Sequence, residues 1–257
     1  MPNIPEGIPR KLLPIIFVID TSGSMYGDLI ASVNEAMADT LDVLRDVAEE
    51  NADAEVLIGA LSFSTGCKWL TNGLLTSEDF YWNPVEAAGM TDLGAALNEL
   101  NNQMSRTKLF ANQKGYNRPV LIFMSDGFPN DDWEKSLAAI KENKWFKNSI
   151  KIGMAIGDDA DEDVLVSVIG DKEGLINVHN PAQLKSMIKA ISLSASKIGS
   201  VSRPVSASDS AAKDILVDAT FGEDDVDTNF DNTPTSSATS DNTDSDDSEG
   251  GWDDGGW

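Results

Sequence analysis

Four short runs of apolar residues, at positions 14–19, 56–63, 119–124 and 150–156, constrain the fold more than any other feature of the chain. Each is rich in Ile, Val, Leu, Phe or Met and lacks the polar alternation of a half-exposed strand, so each reads as a strand buried on both faces. Between them the periodicity changes. Across residues 28–49, Ile30, Val33, Met37, Leu41, Leu44 and Ala48 recur every three or four positions, with Glu35, Asp39, Asp42, Arg45 and Glu49 between them, which predicts an amphipathic helix. Residues 93–104, 133–145 and 181–198 carry helical patterns too, the last after a shorter apolar run at 175–178. Strands that alternate with helices predict an α/β fold with a doubly wound, mostly parallel sheet and helices on both faces. The short run 67–70, after the Ser64, Thr65, Gly66 turn, predicts a hairpin that adds one antiparallel edge strand.

The flanks read differently. Residues 1–11 contain Pro2, Pro5, Pro9 and Gly7 and form an N-terminal arm, leaving 12–198 as the folded domain. Residues 199–257 shift to Ser, Thr, Asp, Asn and Gly, a composition that predicts a mostly disordered acidic tail. Residues 221–257 alone hold 12 acidic and no basic side chains, half of the net charge of −24. Inside the tail, residues 214–221 have strand-like content, and Gly-Gly-Trp occurs at 250–252 and again at 255–257.

Charge and composition exclude several functions. With 43 Asp and Glu against 19 Lys and Arg, phosphate backbones and anionic lipid surfaces would repel the chain, so neither nucleic acid nor membrane is an expected partner. The apolar stretch 12–19 is interrupted by Pro14 and falls far short of the roughly 20 residues that span a bilayer; with no small-residue cleavage site after it, a cytoplasmic location is expected. One cysteine, Cys67, and one histidine, His179, cannot supply an intramolecular disulfide or a Cys/His zinc cluster.

The chemistry concentrates after the strands. Asp20-Thr21-Ser22-Gly23-Ser24-Met25 follows the first strand, with Met25 read as packing beneath the loop. Thr91 precedes a helix in Gly89-Met90-Thr91-Asp92-Leu93-Gly94, and Asp126 follows the strand 119–124 in Met124-Ser125-Asp126-Gly127. Loops at the carboxyl ends of parallel strands form the ligand crevice of such sheets. Asp20, Ser22, Ser24, Thr91 and Asp126 offer oxygen alone, a set suited to a hard cation, Mg²⁺ first, with Mn²⁺ or Ca²⁺ as alternatives. A lone Asp-x-Ser-x-Ser is also a common helix-capping loop; agreement of three loops after apolar strands is what sets this set apart.

In order and spacing these five residues resemble the metal-ion-dependent adhesion site of von Willebrand factor A domains, over about residues 12–198. The loops 126–133 and 157–161 are similar to those of bacterial tellurium-resistance-associated A-domain proteins, which are linked to kinase and phosphatase partners in stress systems. Some of those relatives carry a cysteine-rich extension, whereas the extension here is acidic and cysteine-free. The resemblance implies that Ser22, Ser24 and Thr91 hold the ion directly while Asp20 and Asp126 act through water. It further implies a non-enzymatic interaction module that captures an Asp or Glu of a partner protein. Two other functions compete. An adaptor for a partner AAA+ ATPase would need its motor on another chain, because no Gly-x-x-x-x-Gly-Lys-Ser/Thr motif is present. A metal-dependent hydrolase would need a general base that the loops do not offer.

Other features read more plainly. Asp158, Asp159, Asp161, Glu162 and Asp163 lack the glycine and the final glutamate of a calcium loop at positions 164 and 170, and read as a helix N-terminus. His179 precedes Asn180-Pro181 and reads as a turn residue. In the tail, Trp252, Asp253, Asp254 and Trp257 are candidate partner-binding residues, and the tail carboxylates could equally fill the chain's own metal site or serve solubility.

Overall fold

The computed structural model describes residues 10–50, 54–112, 115–158, 160–200 and 211–221. Most of the N-terminal arm, Asp159, and the tail segment with Trp252, Asp253, Asp254 and Trp257 lie outside them.

Among the described residues the elements run β1 (Lys11–Asp20), α1 (Asp28–Glu50), β2 (Ala54–Ser64), β3 (Gly66–Trp69), β4 (Leu75–Thr76), α2 (Leu93–Gln103), β5 (Val120–Ser125), α3 (Trp133–Ile140), α4 (Lys144–Asn148), β6 (Ile150–Ile156), α5 (Glu162–Ile169), β7 (Leu175–Val178), α6 (Pro181–Ser200) and α7 (Ala211–Phe221). They build one sheet in the order β3-β2-β1-β5-β6-β7, with β4 also paired to β2. The pairs β1–β2, β1–β5, β5–β6 and β6–β7 are parallel. Only β3 and β4 run antiparallel, both against β2. The doubly wound α/β sheet with an antiparallel edge is therefore present.

Alternation along β1 explains why its sequence carries no polar face. Leu13, Ile15, Phe17 and Ile19 enter one core with Val33, Met37, Leu41 and Leu44 of α1 and with Ile188 of α6. Ile16 and Val18 enter the opposite core with Leu97 and Leu100 of α2, Ile140 of α3 and Leu165 of α5. A strand covered on both sides must be apolar on both sides.

Two segments depart from the sequence reading. The helical pattern over 133–145 is broken at residues 141–143, because Asn143 has partners elsewhere. Its side chain caps α4 by accepting from the Trp145 amide at 2.9 Å, and its Nδ2 donates to Asn101 Oδ1, Asn101 O and Met104 O at the end of α2. Residues 214–221 form part of a helix and not a strand. Ala211, Ala212, Ile215 and Leu216 fall on one helical face and are buried in the α1/α6 core, so the core reaches beyond residue 198. The Ile-Leu-Val run had suggested a strand, but the apolar spacing that begins at the two alanines is helical.

Candidate metal centre

Strand order places the site. β1 leads through α1 to β2 on one side and has β5 on the other, so β1 and β5 flank the point where the direction of strand addition reverses, the usual ligand crevice of an open α/β sheet. Asp20 is the last residue of β1 and Asp126 follows β5 directly.

Asp20 is completely buried. Its Oδ1 accepts the Ser22 amide at 2.8 Å and its Oδ2 accepts the Ser125 hydroxyl at 2.5 Å. Burial pushes the Asp20 carboxyl up to about 6, against the opposing pull of the Ser125 and Ser22 hydrogen bonds, and the nearby Asp126 charge adds to the rise. Ser22, also buried, has its Oγ 3.0 Å from Ser24 Oγ, so these two hydroxyls converge. The tight turn at Gly23–Met25 aims them, and Met25 sits fully buried beneath it, as the sequence suggested.

Thr91 arrives by a long connection that is tied down at each step. Asn34 of α1 accepts from the Val85 amide at 2.8 Å and from Trp82 Nε1 at 3.1 Å. The Ala88 amide then donates to Thr21 O, and the Gly23 amide donates to Gly89 O, joining this loop to the Asp20 loop. On its other side the Thr91 amide donates to Asn130 Oδ1 at 2.9 Å while Thr91 O accepts the Asn130 amide at 2.9 Å. Asn130 belongs to the loop of Asp126, so all three loops are stitched together by main-chain bonds. Thr91 is buried. Asp131 completes the arrangement by accepting from the Gly94 and Ala95 amides at the start of α2.

Gly127 fixes the Asp126 turn. Its φ of +92° is open to glycine, and a Cβ there would lie 2.8 Å from the Asp161 backbone nitrogen. The Gly127 amide donates to Ser125 Oγ, the hydroxyl that also serves Asp20, and Asp126 O accepts the Asp161 amide.

One atom tests whether the donor set fits a cation. Asp126 Oδ1 is buried and has no hydrogen-bond partner among the described residues. A buried carboxylate oxygen without a donor is costly unless a cation or water satisfies it. Together with Asp20, whose carboxyl feels the Asp126 charge, and the convergent hydroxyls of Ser22 and Ser24, it offers oxygen donors of the kind that suit a hard divalent ion. Among the described residues, no three His, Cys, Asp or Glu side chains converge to hold a metal, so any such centre depends on its hydroxyls.

Ser125, Asn130 and Asn34 support the site without belonging to the five-residue motif. Of the three, Ser125 alone is adjacent in sequence to a motif residue, Asp126. The other acidic cluster behaves as a helix start, with Asp161 Oδ1 accepting the Val164 amide at 3.2 Å and Glu162 and Asp163 in the first turn of α5. His179 Nδ1 lies 2.8 Å from Asp158 Oδ1 and the His179 amide donates to Gln183 Oε1, at an exposed turn. No helix among the described residues is long and apolar enough to cross a membrane.

The model of the von Willebrand factor type A domain matches residues 15–190. Inter-alpha-trypsin inhibitor heavy chain H2 of Sus scrofa is 27% identical over 212 residues, covering 74% of this chain and 21% of that protein. The chain thus spans about a fifth of this curated relative. Proximal thread matrix protein 1 from the mussel byssus, solved with a zinc-occupied MIDAS motif, superposes with a TM-score of 0.57 at 19% identity, over 72% of this chain and 48% of that one. A von Willebrand factor type A protein from Catenulispora acidiphila gives a TM-score of 0.52 at 15% identity, over 72% and 43%. At such identities these two structures speak for the fold.

Proposed function

The chain belongs to the von Willebrand factor type A domain family, and from that premise we propose that it is a metal-ion-dependent interaction module which captures a carboxylate of a partner protein. The observation that carries the reading is the buried Asp126 Oδ1, which has no hydrogen-bond partner among the described residues and belongs to a carboxylate near enough to Asp20 to raise its carboxyl. Ser22, Ser24 and Thr91 would hold the ion through their hydroxyls, and Asp20 and Asp126 would act on it through water, as the family resemblance implies. When bound, the ion supplies an electrophilic position that a partner Asp or Glu can complete. With both carboxylates acting through water, the direct ligands would be neutral and the charge of the ion would remain available. Ser22 and Ser125 keep Asp20 oriented, and Asn130 keeps Thr91 in place.

The zinc of the mussel protein belongs to that protein. Here a donor set of oxygen alone favours Mg²⁺, with Mn²⁺ and Ca²⁺ next. The role is recruitment without turnover. The loop from Asp126 to Trp133 supports a place beside tellurium-resistance-associated relatives, as a cytoplasmic scaffold or adaptor in a stress or signalling system, with a kinase, a phosphatase or an AAA+ ATPase as partner. Trp252, Asp253, Asp254 and Trp257 provide a second, metal-independent docking segment.

A pull-down from native lysate with the full chain, in Mg²⁺ against EDTA, tests the reading. Proteins retained by the wild type in Mg²⁺ and lost both in EDTA and with Thr91→Ala support it. Retention indifferent to metal and to Thr91 sinks it and leaves binding to other surfaces.

A further inference from the structure

Large apolar side chains left in water on a soluble domain are informative when they cluster. Among the described residues five are strongly exposed, and three of them stand on the site loops: Tyr26 at 80%, Met90 at 52% and Phe128 at 58%. Each loop contributes one. Tyr26 closes the turn that carries Ser22 and Ser24, its amide donating to Gly23 O; Met90 immediately precedes Thr91; Phe128 stands two residues after Asp126. The bonds between Gly23 and Gly89 and between Thr91 and Asn130 hold together the loops that carry these three positions. Met25, adjacent to Tyr26, is fully buried, so the chain had a covered place for an apolar residue in this turn and still presents Tyr26 to solvent.

The charge around this rim is one-sided. Among the described residues, 20–30, 86–94, 126–132 and 157–163 contain nine acidic residues besides Asp20 and Asp126 and no lysine or arginine. The loop 157–163 is tied to the site through the Asp161 amide on Asp126 O. An acidic rim repels a ligand with clustered carboxylates and attracts cations around the one carboxylate that enters.

We propose that Tyr26, Met90 and Phe128 form an apolar collar around the site, which selects a partner segment whose single Asp or Glu stands between large apolar side chains with lysine or arginine further out. This deepens the metal-dependent reading and rests on it. The carboxylate reaches into the crevice, the flanking side chains cover the collar, and the outer cations face the acidic loops. Affinity then resides largely in the collar, since buried aromatic anchors dominate most interfaces. The chain's own segment 249–257, with tryptophans around adjacent aspartates and no cation, matches the collar and opposes the rim.

Blocked peptides with the sequence Lys-Lys-Leu-Asp-Phe-Lys-Lys, and a twin with Leu and Phe replaced by Ala, test the collar by fluorescence anisotropy on the full chain in Mn²⁺. The alanine twin should bind at least about tenfold more weakly, and Tyr26→Ala, Met90→Ala and Phe128→Ala should each shrink that ratio. Equal binding of the twins, a ratio unmoved by the three substitutions, or no binding of either peptide while Mn²⁺ is bound would overturn the collar. A synthetic 249–257 peptide that binds as tightly as the lysine-flanked one would overturn the charge selection. Mn²⁺ binding followed by electron paramagnetic resonance separates the two levels. The collar variants should bind Mn²⁺ like the wild type, and a wild type that binds none would fail the metal reading itself.

Discussion

The Ser125 hydroxyl donates to Asp20 Oδ2 across the β1–β5 pair, at 2.5 Å and between two side chains withdrawn from water. Ser125 also accepts from the Gly127 amide, so one hydroxyl orients a carboxylate of the first loop and the turn of the third. Ser125→Ala removes a donor that favours the ionised carboxyl. Mn²⁺ affinity measured by calorimetry should fall about tenfold at pH 7, and the pH at which half of the binding is lost should rise. An unchanged affinity and an unchanged midpoint would show that Asp20 does not depend on this bond.

The raised Asp20 carboxyl has opposite consequences with and without a cation. Between its unfolded value of 3.8 and about 6, the metal-free native state holds a proton that the unfolded chain has released. Stability due to this group therefore falls as pH rises through that window, and above it the full cost is roughly 3 kcal/mol. Urea unfolding in EDTA at pH 4.5 and pH 7.5, compared between the wild type and Asp20→Asn, isolates the effect. The wild type should lose stability relative to the variant at the higher pH. Saturating Mg²⁺ should reverse the sign for the wild type, because the ionised form is the one that holds the ion.

Asn130 touches Thr91 through its side chain and its amide, and supplies none of the five donors. Asn130→Ala removes the Oδ1 acceptor while keeping the main-chain bond to Thr91 O. Metal affinity should drop by about 10–100-fold, the usual effect of losing an orienting partner, with the fold retained by circular dichroism. Affinity equal to the wild type would mean that the Thr91 loop is held by its other ties alone.

Gly127→Ala puts a Cβ against the Asp161 backbone in a conformation that L residues avoid. Neither the Asp161 nitrogen nor its carbonyl can rotate away as a side chain would. A loss of about 2–4 kcal/mol in chemical denaturation is expected, together with weaker metal binding, because the strain falls on the turn that carries Asp126. A neutral substitution would require the Asp126 turn to be softer than its hydrogen bonds imply.

What the sequence revealed and what it hid follow a physical division. β1, β2, β5 and β6 are legible because burial on both faces leaves a nearly continuous apolar run without polar alternation, and α1 is legible because a one-sided helix leaves a periodic trace. Asp20, Ser22, Ser24, Thr91 and Asp126 stood out as oxygen donors at the ends of those elements. Asn130, Asn34 and Asn143 are not recognisable, since each acts on a partner more than 30 residues away and an asparagine carries no mark of a distant partner. The α7 segment resembles a strand because the consecutive apolar run Ile215-Leu216-Val217 masks a helical spacing that only its buried face makes visible.

The bond between Ser125 and Asp20 closes a span of 105 residues, and Thr91 joins from a third place in the chain. The β1–β5 pair closes the same separation, and the three loops can meet only once its loop-closure entropy has been met. A cation added to the folding chain should therefore find no site in the transition state. It should leave the folding rate where it was and act on the other limb, slowing unfolding by holding three distant loops against separation.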